Sequence, residues 1–357
     1  MVNSMHDEIY LLIKGKQIEN FKSYTIDADL YLAEDAFSLE LSNPDTEIES
    51  GMNVELVVNG KLELTGIIDK TIKKYDKSSG TTFSVSGRDL MGQVMDQYVD
   101  EFVSMTDVNL MTLAKKLIAR VPVLNRQQIL YQDGVVDKQG RLKARAMPGS
   151  LFDISKGTKH IEPGRKVGEV LMEYAKSIGL LFFSMPDGTF VFGVPASGGE
   201  AVFMLTIAKD GIVDVVSGDK TDDFSKRYKQ VVVLGQRQGT SSEFVPADVN
   251  YTYTSTDMSF PLNKTFVQID EYGNGDTAQL HANMLLQKMN HDSFRVTYKV
   301  PGHSNNNRNW SINELCTVRD EILGLNDNYL IYGRTFTMSK DEGQHTVLRL
   351  GYPGLMV

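Results

Sequence analysis

Few residues in this 357-residue chain have the type and spacing that chemistry needs. The six histidines are His6, His160, His281, His291, His303 and His345, and none makes an HExxH motif or an i, i+4 pair. Metal ligation through a shared helix face is therefore not expected. Asp45, Glu47 and Glu49 alternate like calcium ligands, but the loop lacks the glycine at its sixth position and the bidentate glutamate at its twelfth. A Pro44-initiated acidic turn accounts for them more simply. Gly273-Asn-Gly275-Asp-Thr-Ala278 opens a helical stretch as a phosphate-cradling loop would. It stands alone, without the alternating strand–helix series that holds a dinucleotide, and reads as a turn with an N-cap. Cys316, the single cysteine, rules out an internal disulfide and reads as a buried strand thiol. No Gly-x-Ser-x-Gly is present. The expectation is a chain that is not an enzyme, with no catalytic, cofactor-binding or metal-binding residues.

Charge narrows the partners. The net charge is −9, and residues 1–60 hold 12 acidic against 3 basic residues, so the remainder is balanced at 34 and 34. An acidic opening segment argues against nucleic-acid binding there and suits a basic protein partner or a solvated face. Lys138, Arg141, Lys143 and Arg145 cluster without interleaved aromatics, a weak case for specific nucleic-acid recognition. No apolar run approaches the roughly 20 residues of a membrane span, and no basic-then-apolar leader opens the chain, so no membrane association is expected.

The positioning elements are mainly strands. Tyr24 and Ile26, then Phe37, Leu39 and Leu41, then Leu62 and Leu64 alternate with polar neighbours, the period of a half-buried strand. Asn59-Gly60 after Val54–Val58 is a hairpin signal. In Thr81–Asp96 the alternation of Phe83 and Val85 is expected to break at Gly87, after which Leu90, Val94 and Asp96 follow at helical spacing. Gly87, Arg88 and Asp89 are thus expected to form a structural hinge, held by local hydrogen bonds of Arg88 and Asp89. A helix over 105–121, capped by Thr106 or Asp107, carries Leu110, Leu113, Leu117, Ile118 and Val121 on one face. Residues 122–164 lose all periodicity and read as an irregular loop. A second helix, Val167 to Ser177, ends at Gly179, and a hairpin follows through Pro186-Asp187-Gly188. Strands return from Val213, interrupted by one helix over 277–290. The reading is mainly β with α/β insertions (α+β): a first β-barrel over 1–96, a mixed connector over 97–212 with its helix-plus-hairpin at 165–195, and a second β-barrel over 213–357.

Several segments, in order, resemble the baseplate hub proteins of Mu-like phages, the 43 kDa tail protein family. They are Gly51-Met-Asn-Val-Glu-Leu, Gly66-Ile-Ile-Asp69, Val85-Ser-Gly-Arg-Asp-Leu-Met-Gly-Gln-Val-Met-Asp96, Glu162-Pro-Gly-Arg-Lys-Val-Gly with Asp187-Gly-Thr-Phe-Val-Phe, Asp223-Phe-Ser-Lys-Arg-Tyr, and Trp310 to Val318 with Tyr329-Leu-Ile-Tyr-Gly-Arg-Thr-Phe. The resemblance implies two small barrels of phage-hub type per subunit and a homotrimeric ring. That ring would join the hexameric tail tube protein to the trimeric central spike protein among other baseplate proteins. It also implies a place in the virion tail baseplate, after assembly in the bacterial host cytoplasm. DNA would pass through the ring without specific binding, past a channel lined by the acidic Asp27, Asp29, Glu34 and Asp35. The 122–164 segment departs from the family pattern. A spike hub of a contractile secretion system shares the architecture but normally continues into a long β-helix, whereas this chain stops at Val357 soon after its last strand. A carbohydrate-active or peptidoglycan-cleaving enzyme is the third reading.

Overall fold

The computed structural model describes residues 7–356 except 42–46, 78–79, 107–108, 122–127, 137–141, 146–157, 212–214, 239–247 and 270–274. Alternation becomes sheet as expected. In Phe21–Asp29 the side chains of Tyr24, Ile26 and Ala28 point inward, and in Ala36–Leu41 those of Phe37, Leu39 and Leu41 do. The Asn53–Val58 and Lys61–Asp76 strands are joined at Asn59 and Gly60, whose φ values of 52° and 71° are those of a type I′ hairpin.

The two expected β segments are not separate sheets. Strand Leu325–Ser339 pairs antiparallel with Phe21–Asp29, placing Phe336 opposite Ile26. This welds the early and late strands into one 13-stranded sheet, with Ser217–Asp222 at one end of the pairing path and Lys16–Ile18 at the other. Pairing along that path does not close into a ring among the described residues. One apolar core runs beneath both halves, from Leu11, Leu39 and Val85 to Phe203, Trp310, Phe336 and Leu350. Burying such side chains supplies about 1.5–3 kcal/mol each, so the halves share their principal source of stability.

Among the described residues, four α-helices lie outside this sheet: α1 (Leu90–Asp96), α2 (Leu110–Ile118), α3 (Val167–Ser177) and α4 (Gly275–Ser293). The expected 105–121 helix is shorter than its pattern. Val103–Thr106 is a strand paired with Thr158–Ile161, which pulls the chain out of helical geometry. The cap is Asn109, whose side chain accepts from the Thr112 amide at 2.9 Å. The 122–164 segment is not wholly irregular either. It contributes strands Ile129–Val136, Leu142–Arg145 and Thr158–Ile161. The first runs parallel to Phe190–Gly193 in a four-stranded sheet, and α1, α2 and α3 share a second core with that sheet. The helix-plus-hairpin appears where expected. Gly179 has φ 75° after α3, and Leu181–Ser184 pairs with Phe190–Gly193. The last helix, expected over 277–290, extends a turn further. It packs on a three-stranded sheet of Gln230–Gln238, Asp248–Thr256 and Thr265–Ile269 through Val233, Ala278 and Ala282.

Candidate functional site

Gly87, Arg88 and Asp89 end strand Gly80–Asp89; the chain does not break at Gly87. Glycine is needed there for another reason. A Cβ would lie 2.2 Å from the Ile67 carbonyl oxygen and 2.7 Å from the Phe37 ring. The bend comes at Leu90, where α1 begins. Arg88 projects outward into three carboxylates: Nε to Asp69 Oδ2 at 2.7 Å, Nη2 to Asp96 Oδ2 at 2.6 Å, and Nη1 to Glu34 Oε2 at 3.2 Å. The bonds to Asp69 and Asp96 hold the guanidinium still more firmly charged, and the bond from Arg88 lowers Asp96. One arginine thereby ties two strands, a loop and the last residue of α1.

Asp89 points the other way and is buried. Ser184 Oγ, 95 residues on, donates to its Oδ2, and its amide donates to the Asp35 carbonyl at 2.9 Å. Its Oδ1 has no partner among the described residues. Burial pushes the Asp89 carboxyl up to about 7. Burial, and then the charge of Asp89, push Asp35 well up too. Two of the Arg88 partners, Asp96 and Asp69, lie 8 and 19 residues away and the third, Glu34, lies 54 away, while the Asp89 bond to Ser184 fastens the large sheet to the 181–193 hairpin.

The four acidic residues expected along a channel are engaged within the chain. Arg349 Nη2 lies 3.1 Å from Asp27 Oδ1 and its Nε 3.2 Å from Asp29 Oδ2. Thr335 Oγ1 also donates to Asp27. Glu34 belongs to the Arg88 fork, and Asp35 Oδ1 accepts from the Asp29 amide at 3.1 Å. Much of the charge of this quartet is therefore met locally.

A polar centre that joins residues far apart in the sequence lies nearby. Arg334 Nη1 donates to Glu63 Oε2 at 2.6 Å and to the Trp310 carbonyl at 3.1 Å, and its guanidinium lies 3.9 Å from the Phe336 ring centroid. Asn309 Nδ2 donates to Glu63 Oε1 at 2.6 Å and to the Val58 carbonyl at 2.8 Å. Side chains of Arg334 and Glu63 are only 4% and 7% exposed, so this is a buried ion pair between residues 271 apart. The one sequence signal was Arg334 itself, a lone cation within the apolar run Tyr329-Leu-Ile-Tyr-Gly-Arg-Thr-Phe336. A cavity of about 340 Å³ opens beside the pair, lined by Asp35, Ser184, Arg308, Asn313 and Glu314 among others.

The other candidates resolve into structure. His303 Nε2 lies 2.7 Å from the Tyr24 hydroxyl and Nδ1 3.1 Å from Thr346 Oγ1, and burial pushes it down to about 4. It is a neutral pin between strands. Cys316 is fully buried, its thiol pushed up to about 12 by burial. No group of three His, Cys, Asp or Glu among the described residues is placed to hold a metal ion. His6, Asp45, Gly273 and Asn274 lie outside the described residues, as do Lys138 and Arg141 and the side chains of Lys143 and Arg145.

Comparison with known proteins gives this geometry a setting. Residues 8–89 match the family described as Mu phage baseplate assembly protein GpP-like, N-terminal. No curated protein matches the chain. Among solved structures, the tail protein from Neisseria meningitidis MC58 is 24% identical, with a TM-score of 0.79 over 98% of each chain. The 43 kDa tail protein of prophage MuSo2 from Shewanella oneidensis is 21% identical, with a TM-score of 0.77 over 98% of this chain and 100% of that one. A type VI secretion system component of E. coli, described as structurally similar to the bacteriophage T4 tail proteins gp27 and gp5, is 10% identical, with a TM-score of 0.58 over 96% of this chain and 76% of that one. Residues 8–89 are thus similar to the GpP-like N-terminal family, and the whole chain shares the fold of these two tail proteins.

Proposed function

We propose that this chain is the baseplate hub of a contractile phage or prophage tail, a non-enzymatic homotrimer that joins the tail tube to the central spike. The observation that carries this is the end-to-end correspondence with Mu-type tail proteins, including the N-terminal segment that matches the baseplate family. In this reading the early and late strands of the large sheet are the two ring modules. Three copies then offer six comparable modules to a hexameric tube and a threefold face to a trimeric spike.

The surfaces suit that role. Strands Ser217–Asp222 and Lys16–Ile18 end the sheet's pairing path, and an edge strand gains by pairing with a neighbouring subunit. On the small three-stranded sheet, Leu234 lies opposite Ile269, with Val267 beside it, and the three are 39%, 77% and 56% exposed. Contiguous exposed apolar groups mark assembly contacts. Arg88, His303 and Cys316 serve cohesion, which fits a load-bearing part assembled in the host cytoplasm and retained in the virion. The acidic quartet keeps a role along the DNA path only through whatever charge Arg349 and Arg88 leave unmet.

The type VI component's similar fold favours one second reading, a spike hub of a contractile secretion system. Light scattering with electron microscopy tests the first. The expected result is a ring of three 39.9 kDa chains that caps tubes of the tail tube protein from the same genome. A monomer that ignores those tubes and cleaves peptidoglycan would overturn it.

A further inference from the structure

Strands Lys61–Asp76 and Gly80–Asp89 run on past their neighbours in the large sheet. Asn53–Val58 leaves the first of them at Ile67, and Ala36–Leu41 leaves the second at Phe83. From Lys74 opposite Thr82 to Asp76 opposite Gly80 the pair is therefore a ribbon with no third strand. No side chain of residues 69–77 or 80–82 belongs to a hydrophobic core, and Tyr75 is 90% exposed. A two-stranded ribbon is marginal alone in water, so this one gains from whatever it meets. Its charge narrows what that is. Lys73, Lys74 and Lys77 are exposed and make no ion pair among the described residues.

The matching charge is carried by the same chain, out of the ribbon's reach. Glu34, Asp69 and Asp96 share one cation, Arg88, which leaves two negative charges unmet. Glu47 and Glu49 are exposed and make no ion pair among the described residues. They come close to this fork in the fold, because the Gly51 amide donates to the Ile68 carbonyl at 2.7 Å. Lys73, the nearest of the three lysines, lies four residues beyond Asp69 on an extended strand, about 13 Å at about 3.3 Å per residue. Exposed charges act over only about 8 Å at physiological salt. We propose that the ribbon of one copy docks on the Arg88 fork and Glu47 and Glu49 of the next copy, lysines against carboxylates, with Tyr75 covered in the contact. A basic patch and an acidic patch at different places on one chain make a head-to-tail contact, which closes into a ring where the rotation allows, and not the self-complementary contact of a twofold dimer. The inference rests on the homotrimer reading and names the surfaces that close it.

Zero-length carbodiimide cross-linking joins a lysine to a carboxylate it touches, and a mixture of isotope-labelled and unlabelled full chains separates links between copies from links within one. The expected result is mixed-label links from Lys73, Lys74 or Lys77 to the fork carboxylates or to Glu47 and Glu49. In light scattering, Lys73→Glu/Lys74→Glu should weaken the trimer roughly tenfold or more, because like charges then face each other. Glu47→Lys/Glu49→Lys should do the same, and all four substitutions together should restore assembly. The four positions are exposed, so the variants should fold, and thermal unfolding checks that they do. A trimer that shows no mixed-label link at the ribbon and withstands both charge reversals would overturn this contact and leave the hub reading standing. A quadruple variant no better than either double would overturn it too. Duplex DNA bound by the wild type and lost on Lys73→Glu/Lys74→Glu, with the trimer unchanged, would overturn it by assigning the ribbon to nucleic acid. A wild-type chain that stays monomeric and ignores tail tubes would overturn both readings.

Discussion

Two arginines in this molecule hold strands together, at different depths. Arg88 spreads three bonds over carboxylates that are 32–56% exposed, whereas Arg334 makes its pair with Glu63 under the sheet, where both are almost fully buried. At the surface, water screens each pair and two partners remain if one is lost. Underneath, either partner alone is a charge without solvent. The same chemistry is a redundant brace in one place and an all-or-none lock in the other.

Removing the lock should do most damage. Arg334→Met strands Glu63 in the core and should cost about 3–5 kcal/mol, while the double variant Glu63→Met/Arg334→Met should recover much of that loss. Urea denaturation of both measures it, and a double variant no better than the single would show that the Trp310 and Asn309 bonds, not charge, dominate.

Asp89 comes next, lying between the two arginines in depth. Its folded pKa, about 7, is raised above the unfolded value near 3.8, so the folded state holds the extra proton. Its contribution is therefore fully present at low pH, falls as pH rises from about 4 to about 7, and is flat above. Asp89→Asn should flatten that slope and gain up to a few kcal/mol at pH 8 relative to pH 4, at about 1.4 kcal/mol per unit. Denaturation midpoints across that range provide the check; an unchanged slope would assign the effect to Asp35.

Gly87→Ala should cost about 1–3 kcal/mol, since the added methyl must displace Ile67 or Phe37. Thermal unfolding reads this, and the loss should be insensitive to salt. The smallest effect belongs to the brace. Arg88→Ala should cost about 1 kcal/mol, and the loss should shrink as ionic strength rises. If trimer formation, followed by light scattering, is also untouched, the hinge is only a connector.

The contrast between local and distant partners explains what the sequence disclosed. Tyr24 and Ile26, the Asn59-Gly60 turn and Gly179 are signals a few residues long, and each is found where its pattern places it. The Arg88 fork was half legible, since Asp69 and Asp96 lie within 19 residues. Nothing local announces that Phe336 sits opposite Ile26, that Ser184 donates to Asp89, or that Arg334 finds Glu63. Gly87 misled because a glycine in an alternating run signals a break as readily as a close approach. Residues 105–106 read as the start of a helix because their strand partner lies beyond 150.

The pairing of Leu325–Ser339 with Phe21–Asp29 has a consequence in time. On the ribosome, the strand that borders Phe21–Asp29 is made some 300 residues after it, so that strand waits with one side open through most of synthesis. Closing the seam is a search over nearly the whole chain, which makes it slow, and an open strand edge is a template for wrong neighbours. Interrupted synthesis should therefore yield not a half-built subunit but a sticky one, and the finished sheet doubles as a signal that translation ran to its last strands.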